Sequence, residues 1–218
     1  MRLWLALLAA LLLPSAASGQ EREALLLGSS SVNGAVGRTL ERELGAWGVH
    51  VRRRARSSSG FSRPDFYDWQ AQIGSLGALG RYSLIVIYAG GNDAQGLWLR
   101  PDERTARRQQ WLQWSDEERW REVYSARVRT FVDALCAAGA PRVAVLLPAN
   151  GGRYLWERRI LRVRESQAEG ARTSRCGTVV DPGAQALDAI DGVHLSWNGA
   201  SRMWTLVAEP FRELLEVR

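Results

Sequence analysis

Short apolar runs that alternate with longer amphipathic stretches constrain the fold of this chain more than any other feature. The runs are EALLLG (23–28), VHVRRRA (49–55), YSLIVIYAG (82–90), RVAVLLPA (142–149) and GTVVDP (177–182). Runs of this length, rich in aliphatic and aromatic residues and closed by glycine or proline, fit strands. The stretches between them predict helices over 32–46, 65–79, 115–138 and 153–170, with a last one starting near 197. In the long third helix Ser115 and Glu118 have the spacing of a capping box. Its apolar face is Trp120, Tyr124, Val128, Phe131 and Leu135, the three- and four-residue spacing of one helix side. Pro210 is expected to break or kink the final helix. Strands joined by helices form a parallel sheet, and right-handed crossovers lay helices on both of its faces. The expected fold is therefore a three-layer α/β/α sandwich. The chain has 218 residues, 46% of them hydrophobic, enough for one well-buried core and too few for two comfortable domains.

In such sheets the ligand crevice lies beyond the carboxyl ends of the strands. Gly28, Ser29, Ser30 and Ser31 follow the first run; Ser57, Ser58, Ser59 and Gly60 follow the second; Gly90, Gly91, Asn92 and Asp93 follow the third. Asp191 and His194 follow the last, in DGVHLSWNG. Any one of these clusters alone reads as a turn. Four at one edge point to a site.

The residue types suit acyl transfer. A serine hydroxyl becomes a nucleophile when a base within hydrogen-bond reach takes its proton, and a carboxylate fixes that base's tautomer. His194 is the candidate base, because the other histidine, His50, falls near the start of the second strand and so at the opposite edge of the sheet. Asp191, three residues before His194, is the candidate carboxylate, and the order Ser, Asp, His is compatible with a triad. An oxyanion needs preorganised donors. The backbone N–H of the nucleophile, the backbone N–H of Gly60 and the side-chain amide of Asn92 are available.

Residues 1–20, MRLWLALLAALLLPSAASGQ, carry a basic Arg2, an apolar run from Leu3 to Leu13, Pro14, and small residues Ala17 and Gly19. This predicts an export signal over 1–19, cleaved after Gly19, and a periplasmic or secreted domain over 20–218. The apolar run is well short of the ~20 residues needed to span a bilayer, so no stable membrane anchor is expected. Two cysteines, Cys136 and Cys176, meet oxidising conditions after export. One ends the third helix and the other precedes the fifth strand, which puts both at the amino edge of the sheet and predicts a structural disulfide, provided their Cα atoms lie within about 7 Å. The formal charge is +6, and the arginines are interleaved with acids, as in RPDERTARR and SDEERWRE. That is the pattern of a solvated surface rather than of a nucleic-acid binder; an anionic envelope polysaccharide remains compatible with it.

With these residues in place, the chain resembles the SGNH (GDSL-type) hydrolase superfamily, whose name states its serine, glycine, asparagine and histidine. The segments GSSS, SSSGFSRPDFYDW, GGND and DGVHLSWNG occur in the expected order across nearly the whole chain beyond the signal. SGFSRPDFYDW, together with WREVYSARV in the long helix, is similar to a bacterial periplasmic branch known as a domain of unknown function. The resemblance implies a flavodoxin-like sheet of order 2-1-3-4-5, Ser30 as nucleophile with Ser31 as the fallback, Gly60 and Asn92 as oxyanion donors, and Asp191 with His194 completing the triad. It implies no cofactor and no metal. Ser29 stands where the family motif has aspartate, a departure expected to loosen the turn that presents Ser30. No Gly-x-Ser-x-Gly elbow is present, since Val32 occupies the second glycine's position, which disfavours the α/β-hydrolase fold.

The segment DAQGLWLRPDERTARRQQWLQW is long for a simple connection. Its Trp98, Trp111 and Trp114 are candidates for a lid or a sugar-stacking platform, or for packing over the sandwich. Arg63, Trp98 and Asn150 are candidate substrate contacts. The sequence thus points to a serine esterase that removes O-acyl, in particular O-acetyl, groups from an exported or cell-envelope carbohydrate through an acyl-enzyme. Two alternatives are an O-acyltransferase working with a membrane-bound acyltransferase, and a catalytically silent glycan-binding protein.

Overall fold

The computed structural model describes residues 22–216; the expected export signal lies outside them. In chain order the elements are β1 (Arg22–Gly28), α1 (Ser30–Asn33), α2 (Ala35–Ala46), β2 (Val49–Ala55), β3 (Tyr82–Tyr88), β4 (Leu97–Trp98), β5 (Trp111–Leu112), α3 (Glu117–Ala137), β6 (Val143–Leu146), α4 (Tyr154–Arg172), β7 (Gly177–Val180) and α5 (Trp197–Glu216). Five strands form one sheet of order β2-β1-β3-β6-β7, with every pair parallel. Counting only the strands of this sheet, the order is the flavodoxin-like 2-1-3-4-5. β4 and β5 make a separate antiparallel pair inside the long insertion.

The strands read as continuous apolar runs because both faces of the sheet are covered. Successive side chains point to opposite faces, and β1 shows the result. Leu25 and Leu27 join Ile85, Ile87, Val143 and Val145 in a core closed by Trp120, Tyr124, Val128 and Phe131 of α3 and by Ile160 and Val163 of α4. Ala24 and Leu26 join Leu84, Val86, Ala144 and Leu146 in a second core, closed by Val36, Leu40 and Leu44 of α2 and by Met203, Val207 and Phe211 of α5. Since all strands run one way, their carboxyl ends share one edge.

Several elements depart from the sequence expectation. The expected helix over 65–79 is irregular chain with a 3-10 turn over Gln70–Leu76. Gly74 and Gly77 lower its helix propensity, and Gly77 takes a φ of 77° that a helix cannot use. The first helix is divided at Gly34, whose extended backbone separates α1 from α2. The long helix starts after Asp116, with no side-chain cap, so the Ser115–Glu118 box is not formed. α5 runs unbroken through Pro210. Proline in a helix interior costs about 3 kcal/mol, and burial of Val207, Phe211 and Leu215 around it offsets that loss at roughly 1.5–3 kcal/mol per side chain.

Candidate active site

Gly28 ends β1 beside Tyr88 of the neighbouring strand β3. A Cβ there would lie 1.9 Å from the Tyr88 carbonyl oxygen, so only glycine fits. The chain then turns into α1 with Ser29 at its N-cap, buried and with no side-chain capping bond. The turn is closed by backbone alone: the Val32 N–H donates to Ser29 O at 3.0 Å and the Gly34 N–H to Ser30 O at 3.0 Å. A serine in place of the motif aspartate is therefore compatible with a formed turn. Ser30 opens α1, and its Oγ lies 2.8 Å from His194 Nε2.

His194 sits in the loop before α5. Its Nδ1 is 2.8 Å from Asp191 Oδ2, while Asp191 Oδ1 accepts the backbone N–H groups of His194 at 2.7 Å and Val193 at 3.0 Å. Those backbone donors, and then the imidazole, favour the anion and hold the Asp191 carboxyl down at about 2. Gly192, at φ 79°, supplies the left-handed residue that lets the chain fold back over only three residues. The loop is anchored on both sides: the Ile190 N–H donates to His194 O at 2.8 Å, and Ser196 Oγ accepts the Gly199 N–H at 3.1 Å as the N-cap of α5.

The third part of the site comes from the loops after β2 and β3. Asn92 Nδ2 donates to Ser59 O at 2.9 Å. One amide hydrogen is spent on this bond and the second is available to a ligand. The bond fixes the plane of the Ser59–Gly60 peptide and hence the direction of the Gly60 N–H. Asp93, fully buried, braces the same loop. Its Oδ1 accepts the Ser62 N–H at 2.8 Å and its Oδ2 accepts the Tyr124 hydroxyl at 2.7 Å. Burial and then the adjacent carboxylate push the Tyr124 hydroxyl well above its ordinary pKa, so it remains a donor. A Cβ on Gly60 would lie 2.0 Å from Asp93 Oδ1, which makes glycine obligatory there. From α3, buried Arg127 donates to Phe61 O at 2.7 Å and Trp98 O at 2.6 Å and pairs with Glu103. Burial alone would raise the Glu103 carboxyl, but the hydrogen bonds from Arg127 hold it below the usual range.

Neither Asp93 nor Arg127 stood out in the sequence as a site residue. The signal for Asp93 was its place in GGND. Arg127 gave none, being one arginine among many on a helix.

A cleft of about 670 Å³ opens over this edge, lined by His194, Asp191, Asn92, Arg63, Arg153 and Arg159 among others. Of the candidate substrate contacts, Arg63 lies in it. Trp98 does not: it pairs edge-to-face with Trp111 at 5.2 Å across β4 and β5. Trp114 packs on Trp120 at 4.7 Å, while Trp111 is partly exposed and lies under the Arg63 guanidinium at the cleft's side. Asn150 is buried, with its amide donating to Glu157 Oε1 and Ala184 O and its Oδ1 accepting the Gly152 N–H. Its polar atoms are used inside the protein, and its expected substrate contact is replaced by a structural role. His50 lies on β2 opposite Glu23, near the amino edge. Cys136 and Cys176 are disulfide-bonded with Cα atoms 6.1 Å apart. Among the described residues no group of three or more histidines, cysteines and carboxylates is placed to hold a metal ion.

No curated protein matches the chain by sequence. Solved structures match it in fold. An α/β hydrolase from the metagenome of Lake Arreo, Spain, is similar with a TM-score of 0.56 at 14% identity, over 89% of this chain and 94% of that one. A lipase from goat rumen metagenome has a TM-score of 0.56 at 16% identity, over 88% and 97%. A psychrotrophic esterase from Pseudoalteromonas has a TM-score of 0.54 at 13% identity, over 89% and 98%. A family model described as a protein of unknown function (DUF459) matches residues 23–182. With residues 23–182, most of its length, under that model, the chain belongs to the DUF459 family.

Proposed function

We propose that this protein is a serine esterase whose acyl-enzyme forms on Ser30. The observation that carries the reading is the unbroken line from Ser30 Oγ through the His194 ring to Asp191, with both links at 2.8 Å. In the proposed reaction His194 Nε2 takes the Ser30 proton as Oγ attacks the ester carbonyl. Asp191 keeps the Nδ1 proton facing itself and balances the imidazolium. The developing oxyanion is received by N–H groups of Ser30 and Gly60 and by the free amide hydrogen of Asn92. Collapse of the intermediate releases the alcohol, which takes the proton from His194; water then repeats the cycle on the acyl-enzyme. The fold of lipases and an esterase supports the general class of reaction. The proposed substrates are O-acyl groups, O-acetyl above all, on exported or envelope carbohydrate, in keeping with the export signal read from residues 1–19 and a periplasmic or secreted location. Transfer to a sugar hydroxyl, with a membrane-bound acyltransferase as donor partner, uses the same acyl-enzyme and differs only in the acceptor.

The test is turnover of p-nitrophenyl acetate by the purified protein. Wild type is expected to release p-nitrophenol, and Ser30→Ala and His194→Ala to lose about 10⁶-fold in kcat, the scale of removing such a group. Turnover that survives in Ser30→Ala would overturn the assignment. Adding a sugar acceptor and assaying acylated sugar separates hydrolysis from transfer.

A further inference from the structure

We propose that the cleft beside His194 holds a seat for an oxyanion, formed by Arg153 and Arg159, so that the ester cleaved here belongs to a negatively charged glycan. The inference rests on the esterase reading for the bond that is cut, and on the charge of the cleft for what surrounds that bond. Three guanidinium groups, from Arg63, Arg153 and Arg159, line the same cleft as His194 and Asn92. The one carboxylate in the lining is Asp191, whose oxygens are already engaged by His194 and Val193. The three cations are not equivalent. Arg63 is bound in two-pronged fashion by Asp65 at 2.7 and 2.8 Å and lies over the Trp111 ring, so its charge is balanced and its position fixed.

Arg153 and Arg159 stand at the start of α4, where Arg162 and Arg164 further along the helix are paired with Glu117 and Asp181. Arg153 and Arg159 have no such carboxylate among the described residues. Both are nonetheless held in place. The aliphatic stem of Arg153 runs against Gly192, where a Cβ would come within 2.8 Å of Arg153 Cβ and 3.1 Å of its Cδ. The glycine of the Asp191–His194 loop thus makes room for the arginine. Arg159 donates one N–H to Ala94 O at 3.2 Å and lies 5.6 Å from the Trp114 ring centre, which leaves further N–H donors of its fork for a ligand. Planar guanidinium forks suit carboxylate and phosphate oxygens, and two unbalanced ones beside a triad favour substrates that bring the missing charge.

The test uses the full chain carrying Ser30→Ala, which binds without turnover, titrated calorimetrically with trigalacturonate, glucose 6-phosphate and neutral maltotriose. At least one anion is expected to bind about tenfold more tightly than maltotriose, as hydrogen bonds to charged groups provide. That gain should vanish in Arg153→Gln/Arg159→Gln and persist in Arg38→Gln/Arg202→Gln, which removes the same charge from exposed positions on α2 and α5. Binding of trigalacturonate alone identifies a carboxylate, of glucose 6-phosphate alone a phosphate, and of both a general oxyanion seat. Equal binding of maltotriose, or equal weakening by the two double variants, overturns the proposal. p-Nitrophenyl acetate turnover by wild type keeps the two readings apart: turnover without selective anion binding sinks the seat and leaves the esterase, and anion binding without turnover does the reverse.

Discussion

His194 is held at both ring nitrogens by groups of different kinds, a hydroxyl on Nε2 and a carboxylate on Nδ1. Asp191 in turn receives two backbone N–H donors besides the ring. A carboxyl whose folded-state pKa is lowered contributes stability that is complete above its ordinary value near 4 and is lost as pH falls through the folded value. For Asp191 that folded value is about 2. The amide proton shifts of Val193 and His194, followed by NMR in acid, should therefore titrate with a midpoint near pH 2, and a midpoint near 4 would show the loop to be open. Asn92 aims one amide hydrogen at Ser59 O, and in the proposed reaction the other receives the oxyanion. Asn92→Ala is expected to lower kcat for p-nitrophenyl acetate about 10²–10³-fold, the scale of a lost oxyanion donor, with KM little changed. The meeting of Ser30, His194 and Asp191 was legible because each lies within a few residues of a strand end or a glycine. Asn150 and Trp98 were misread because sequence places them in loops but cannot say whether a loop's polar atoms are used internally.

At the scale of elements, α3 connects the core to the site. Trp120, Tyr124, Val128, Phe131 and Leu135 are all buried, as their spacing required. The same helix sends Tyr124 to Asp93 and Arg127 to the loop after β2 and to the insertion. That second role was not legible, since it depends on partners more than twenty residues away in sequence. Arg127→Met removes the buried cation and leaves Glu103 with only the Arg100 guanidinium as a cation, at 3.9 Å, a loss expected at about 3 kcal/mol, the lower end of the range for breaking a buried pair. Urea unfolding should show a loss of that size, and adding Glu103→Gln should recover part of it; full stability in Arg127→Met would contradict the bracing role. The parallel strands were legible from their unbroken apolar runs. The segment over 65–79 was not, because Tyr67 and Trp69 pack at 5.0 Å in chain whose regular hydrogen bonding is limited to the 3-10 turn over Gln70–Leu76.

For the molecule as a whole, a parallel sheet gathers its loops at one edge and leaves the other for structure. The disulfide between Cys136 and Cys176 lies by the starts of β6 and β7, away from the cleft, and closes a loop with a sequence separation of 40. In the chain-entropy account such a bridge is worth about 4 kcal/mol. Cys136→Ser/Cys176→Ser should accordingly lower unfolding free energy by about 2–4 kcal/mol while kcat per folded molecule stays as in wild type; a matching loss of kcat would mean that the two edges are coupled. The central claim, that Ser30 is an activated nucleophile, has a more direct measurement. A fluorophosphonate probe is allowed to react with the intact protein, and the modified peptide is identified by mass spectrometry. The account predicts a single adduct on Ser30, abolished in Ser30→Ala and strongly slowed in His194→Ala. An unlabelled wild type, or an adduct on Ser29 or Ser31 instead, would contradict it.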